Sequence, residues 1–239
     1  MRYATSQFIY DPSKAHICTY RGESANARTV MTPNGNQRLS FGDYYSSPGG
    51  GRLFRWLDWA KVRKTASLVG ALGDTPRILD LGCGAAAVTG RIARDFPRAK
   101  VLGADIDAKL LDTARLRGLE VHLVDFDKPL PFEDASFDLI VMVDSIEHVR
   151  CRRDTMVQVT RLLKPEGTLL VFTPPYDTFT WWLGERLFRL VTRRPTDHVS
   201  PFTRESLDWL LNENFEDTAT GYLNFGLTLW GVGKSKNAT

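Results

Sequence analysis

The segment Arg77-Ile-Leu-Asp-Leu-Gly-Cys-Gly-Ala-Ala-Ala-Val-Thr89 constrains this chain more than any other part of it. An apolar run, Ile78, Leu79 and Leu81, carries one acid, Asp80, and stops at Gly82. Cys83 and Gly84 follow, and small residues then open a helix expected over 86–95. This is a strand, a tight turn and a helix N-terminus. Glycine lets the backbone approach a ligand, and the helix start presents free N–H groups. Many nucleotide binders share such a turn, so its companions decide how much it says. Gly103-Ala-Asp105 closes a second apolar run about twenty residues on, where an acid can accept both hydroxyls of a ribose.

The pattern alternates from there. Strands are expected over 77–81, 100–104, 120–124, 138–143 and 168–173, and helices over 86–95, 108–117 and 152–163. Gly118 suits a helix C-terminus, and Thr203 suits the N-cap of a helix over 204–214. Such alternation implies a parallel sheet with helices on both faces, and a crevice where the strand order reverses. Upstream, 1–51 reads as an irregular N-terminal extension rich in breakers such as Ser46-Ser-Pro-Gly-Gly-Gly51. A helix is expected over 52–72, with Leu53, Leu57, Ala60, Leu68 and Leu72 on its apolar stripe. Its basic residues, Lys61 among them, read as a solvated face.

At 239 residues the chain is long enough for one α/β domain with a large core plus that extension. A net charge of +3 is too mild to argue for a nucleic-acid partner, and none is expected. No run is long enough to cross a bilayer and no signal-peptide pattern opens the chain, so a cytoplasmic location is expected. Cys18, Cys83 and Cys151 form no CxxC pair; they read as free thiols, and no metal site is expected.

A resemblance enters with Leu130-Pro-Phe-Glu-Asp-Ala-Ser-Phe-Asp-Leu-Ile-Val-Met-Val143. With Ile146-Glu-His-Val149 and Leu162-Leu-Lys-Pro-Glu-Gly-Thr168 it resembles the class I S-adenosylmethionine-dependent methyltransferases, over roughly 53–233. The combination is specific where each motif alone is not. The resemblance implies a Rossmann-like α/β fold. That fold has a seven-stranded, mostly parallel sheet, helices on both faces and a C-terminal antiparallel hairpin, here 216–222 and 227–233. It also implies S-adenosylmethionine as cofactor. The chain departs from the family at Ala86, where a third glycine is usual.

Site roles follow from the resemblance. Gly82, Cys83 and Gly84 would pass close to the cofactor, and Asp80 would take its ammonium group, directly or through water. Asp105 would bind the ribose hydroxyls, and Ile106 would flank the adenine. Asp125 would accept from the adenine amino group beside the Phe126 backbone. Asp144 would face the methionine end, while Asp107 reads as a helix N-cap. A proton acceptor is the hardest to place. His148, just past strand four, and His198, further on, are the candidates for base or substrate-positioning group. The alternative is that His148 packs locally and Glu147 caps the next helix.

Between strand five and the hairpin lies an insertion over 176–202, read as a lid. Within 178–194, Phe179, Trp182, Leu183, Leu187, Leu190 and Val191 recur at helical spacing among arginines. Its apolar face either covers the substrate pocket or rests on a membrane surface. A weaker similarity, the insertion followed by His198-Val-Ser-Pro-Phe202, links the chain to ubiquinone-type small-molecule O-methyltransferases. The expected activity is therefore methyl transfer to a small acceptor, lipid-like or quinone-like, with oxygen favoured. Two alternatives stay open: an S-adenosylmethionine-binding regulatory protein without turnover, and an NAD-type oxidoreductase. The spacing Gly82-x-Gly84-x-x-Ala87 fits the oxidoreductase, but the segment 130–143 opposes it.

Overall fold

Each apolar run becomes a strand of one sheet in the computed structural model, which describes residues 50–126, 128–192 and 201–236. Five strands run parallel: β1 (Arg77–Leu81), β2 (Lys100–Asp105), β3 (Glu120–Leu123), β4 (Phe137–Val143) and β5 (Leu163–Thr173). β6 (Phe215–Leu223) and β7 (Thr228–Ser235) form the antiparallel hairpin, and β7 pairs with β5. The order is β3-β2-β1-β4-β5-β7-β6. The chain thus builds outward from β1 in one direction, returns, and continues from β4 in the other. The reversal opens a crevice at the C-terminal ends of β1 and β4.

The helices are α1 (Gly50–Val69), α2 (Thr89–Asp95), α3 (Ala108–Leu116), α4 (Arg152–Leu162), α5 (Phe179–Thr192) and α6 (Arg204–Asn214). Successive strand residues point to opposite faces, so a continuous apolar strand feeds two cores. Leu79, Ile140 and Val171 pack with Met156 and Val159 of α4 and Leu207 and Leu211 of α6. Ile78, Leu139 and Leu170 pack with Val69 of α1 and Ile92 of α2. Each such side chain taken fully out of water contributes about 1.5–3 kcal/mol. Two caps hold as expected. Asp107 accepts from the Lys109 and Leu110 N–H groups at the start of α3, and Thr203 accepts from the Ser206 N–H at the start of α6.

Several expectations are corrected. α2 starts at Thr89 rather than at 86, because Ala86 holds a left-handed backbone (φ 56°) that no helix accommodates. β5 begins at Leu163, not 168: Lys164-Pro-Glu-Gly167 forms a bulge inside the β4–β5 pairing instead of a turn before it. Gly167 suits the bulge, since a Cβ there would meet the Lys164 carbonyl oxygen at 2.8 Å. The most buried stripe of α1 is Asp58, Lys61, Thr65 and Val69, one step round from the expected leucine stripe. Cys83 is a free, buried thiol as expected, but Cys151 is disulfide-bonded. The extension expected over 1–51 lies outside the described residues except for its last two, which begin α1.

Candidate functional site

The crevice is built from four strand ends. β1 ends at Gly82, whose left-handed backbone (φ 83°) turns the chain sharply. A side chain there is excluded twice over, because an ideal Cβ would lie 2.3 Å from the Ser145 Cβ. Ser145 in turn donates from Oγ to the Leu81 carbonyl at 2.7 Å, which locks the β1 and β4 turns together. Gly82 and Cys83 both donate their N–H to the Ala104 carbonyl. Cys83 directs its thiol into the sheet, where a Cβ on Gly103 would meet its sulfur at 2.7 Å. Burial pushes that thiol's pKa up, so Cys83 offers the crevice its backbone and no nucleophile.

Two acids flank the glycine turn. Asp105, at the end of β2, accepts from Gly84 N–H at 2.8 Å through Oδ2 and from Asp107 N–H at 2.9 Å through Oδ1. An ionised carboxylate has about four acceptor positions, so both oxygens keep capacity for a ligand. Asp80 is 2% exposed; its Oδ2 accepts from the Thr89 hydroxyl, and its Oδ1 has no partner. Burial pushes its pKa up to about 7; the Thr89 hydrogen bond opposes that shift and the Asp105 charge adds to it. An orphaned buried carboxylate oxygen calls for a donor. The ammonium of an amino acid–nucleoside cofactor fits it, and the glycine turn is the cradle a Cβ would fill.

The β3 side of the crevice holds a cavity of about 480 Å³ lined by Ile106, Val124, Asp125, Lys128 and Pro129 among others. Ile106 is exposed. Asp125 is half-buried and 3.4 Å from the Lys128 ammonium. Phe126 packs on the core, its ring 3.6 Å from where a Gly82 Cβ would stand. A larger cavity, about 620 Å³, lies at the opposite ends of the strands beside Arg77, Lys100 and Glu120, away from these groups.

The fourth strand end brings the expected Asp144 together with two residues the sequence reading gave no place in the site, Lys61 and Glu147. Asp144 has a left-handed backbone (φ 49°) and donates its N–H to the Phe172 carbonyl at 2.9 Å. Its carboxylate pairs with the ammonium of Lys61, whose side chain is 6% exposed and which also lies 3.9 Å from Asp58. Burial alone would lower the Lys61 pKa. The charges of Asp144 and Asp58, and the hydrogen bond to Asp144, outweigh it and raise the pKa. Glu147 is fully buried; Oε2 accepts from the Thr173 hydroxyl at 3.0 Å and Oε1 has no partner. Its pKa is pushed up to about 8, by burial first and by the Asp144 charge second. Glu147 is therefore not the cap of α4. The signal for Lys61 was its three-to-four spacing with Asp58, Thr65 and Val69; for Glu147 only the tertiary fold supplies one.

Of the histidines, His148 is exposed on the 3-10 turn Ile146–His148, beside the inward-facing Glu147. His198 lies outside the described residues. On α5, Phe179, Trp182, Leu183, Leu187 and Leu190 are exposed.

Residues 79–171 match a family described as a methyltransferase domain. A demethylmenaquinone methyltransferase of Tropheryma whipplei is 30% identical over 196 residues, covering 73% of this chain and 80% of that protein. A ubiquinone/menaquinone biosynthesis C-methyltransferase of Stutzerimonas stutzeri is 31% identical, over 54% of this chain and 57% of its own length. A ubiquinone biosynthesis O-methyltransferase of Erwinia tasmaniensis is 29% identical, over 56% of this chain and 59% of its own.

Proposed function

The chain belongs to the class I S-adenosylmethionine-dependent methyltransferases, and on that premise we propose that it methylates a small, hydroxyl-bearing quinol-like ring, at oxygen. S-adenosylmethionine is its cofactor, and supplies a methyl group on a sulfonium whose departure leaves a neutral thioether. The protein's part is alignment, which can account for roughly 7–11 kcal/mol of such a barrier. The single observation that carries the assignment of the cofactor groups is the pair of acids around the glycine turn. Asp105 holds the turn through Oδ2 and the Asp107 backbone through Oδ1, and retains acceptor sites for the ribose. Asp80, with its orphaned oxygen, takes the ammonium. Asp125 and Ile106 bind the adenine from the cavity beside β3, and Asp144 faces the methionine end.

The ring class rests on the three relatives, whose names concern quinones. Oxygen as the methylated atom rests on the O-methyltransferase and on the insertion before Phe202; the C-methyltransferase supports a ring carbon as the second reading. Either atom is activated by loss of a hydroxyl proton. The family membership removes the oxidoreductase alternative. Among the described residues no helix is long and apolar enough to cross a membrane. The exposed stripe of α5, with Arg186 stacked 5.6 Å over Trp182, instead suits contact with a lipid headgroup layer, where a quinone-like acceptor resides.

The test is incubation of the purified protein with deuteromethyl-labelled S-adenosylmethionine and a bacterial extract split into lipid and aqueous fractions. A labelled lipid-soluble phenol ether supports the proposal. A labelled ring carbon moves it to the second reading. Label only in the aqueous fraction overturns the acceptor class. Cofactor binding without any labelled product supports a regulatory protein without turnover.

A further inference from the structure

Three carboxyl groups surround one ammonium at the end of β4. Lys61 reaches this place from α1, pairs with Asp144 and Asp58, and is almost wholly out of water. Asp144 is the exposed member, its side chain 30% accessible at the crevice. Glu147 stands behind, fully buried, fixed by Thr173 through one oxygen and unpartnered at the other. Removing a charge from water is costly unless it is paired. A lysine placed on the buried stripe of a helix, where an apolar residue would be cheaper, therefore requires a reason.

We propose that Lys61 is the positioning residue of the acceptor site: its ammonium holds the Asp144 carboxylate at the crevice, where Asp144 receives the acceptor's hydroxyl proton during methyl transfer. This rests on the hydroxyl-bearing acceptor assigned above and identifies the group that deprotonates it. In the step, the acceptor's O–H bond breaks and its proton goes to an oxygen of Asp144. The freed electron pair forms the bond to the methyl carbon at oxygen; where the ring attacks through carbon, its C–H proton is lost afterwards to solvent and the oxygen regains a proton, which restores the aromatic hydroxyl. The S–CH3 bond breaks with its pair left on sulfur. The proton then leaves Asp144 to solvent through its accessible side.

Lys61 is not itself the base, because its two carboxylate partners keep it an ammonium. Glu147 does not touch the acceptor, being fully buried; as a neutral acid it adds no third negative charge beside those of Asp58 and Asp144. His148 is not required, since it stands on the solvent side of the turn.

The experiment uses the full chain, saturating S-adenosylmethionine, and 1,4-naphthohydroquinone and catechol as probes. Lys61→Ala is expected to lower kcat by about 10–100-fold, less than loss of a proton acceptor itself, which costs about 10²–10⁴. Propylammonium added to this variant should restore part of the rate, tetramethylammonium should not, and Lys61→Arg should keep more activity than Lys61→Ala. Asp144→Asn should lose activity with no rescue by either amine. This second variant decides the matter if Lys61→Ala fails to fold. Wild-type kcat in a folded Lys61→Ala, loss of activity that propylammonium leaves unchanged, or an active Asp144→Asn would overturn the proposal alone. A wild-type protein that methylates neither probe counts against the acceptor class and takes this proposal with it.

Discussion

Asp105 ties the glycine turn to the next helix: its carboxylate accepts from Gly84 N–H at 2.8 Å and from Asp107 N–H at 2.9 Å. One side chain thus sets both walls between which the cofactor's ribose is assigned. Asp105→Ala should weaken S-adenosylmethionine binding by about 1.5–3 kcal/mol, the worth of hydrogen bonds to a charged acceptor. Asp107→Ala removes only a helix cap, so it should cost about 1 kcal/mol of stability and leave affinity nearly unchanged. Calorimetry that returns equal affinities for the two variants would remove Asp105 from the ribose.

Gly82 is fixed by space as well as by backbone angle. Gly82→Ala must move the Ser145 turn, because the new methyl would overlap the Ser145 Cβ, and must hold a left-handed φ. The strain is expected to be of order 1–3 kcal/mol, visible as a lower melting temperature, with weakened cofactor binding. A variant with wild-type melting and wild-type affinity would show that the β1 and β4 turns are not locked as described.

With the cofactor's ammonium assigned to Asp80, binding is expected to depend on pH. Burial raises the Asp80 pKa to about 7 in the folded protein, from the ordinary carboxylate value of 3.8. A raised acid binds more protons folded than unfolded, so its contribution to stability is lost as pH rises from about 4 through 7, and stays lost above that. Glu147, raised to about 8, acts in the same direction. Binding a cation has the opposite sign, because it needs Asp80 ionised. Affinity for S-adenosylmethionine should rise about tenfold from about pH 6 to about pH 8 and then level off. Asp80→Asn should flatten that rise; calorimetry showing the same slope in the variant would place the ammonium elsewhere.

The exposed stripe of α5 supplies a separate test. Leu187→Glu with Leu190→Glu puts two charges where the account places lipid, and charges at that depth are disfavoured. Flotation with vesicles containing an anionic phospholipid should fall at least tenfold, at about 0.8 kcal/mol per lost buried methylene, while cofactor affinity stays unchanged. Equal flotation of wild type and variant would remove this helix from any membrane contact.

The sheet was legible because its strands are continuous apolar runs bounded by glycine, proline and aspartate. β1, for example, falls on residues 77–81 as expected. The caps at Asp107 and Thr203 were legible because capping is a local interaction. Ala86 was not, since an alanine carries no sign of a left-handed backbone. Lys61 and Glu147 were not, because a charged residue reads as solvated until the fold supplies its buried partners. The acids assigned to the cofactor, Asp144 among them, were visible in the sequence as motif residues on strand ends, while the pairing of Asp144 with Lys61 emerged only from α1 meeting the end of β4.

The most direct test of the account is a single-turnover reaction. Excess protein, limiting deuteromethyl-labelled S-adenosylmethionine and reduced naphthohydroquinone would be quenched and read by mass spectrometry. One labelled methyl on the ring system is expected for every S-adenosylhomocysteine formed. Bound cofactor that persists unchanged, or S-adenosylhomocysteine with no labelled ring product, would contradict it.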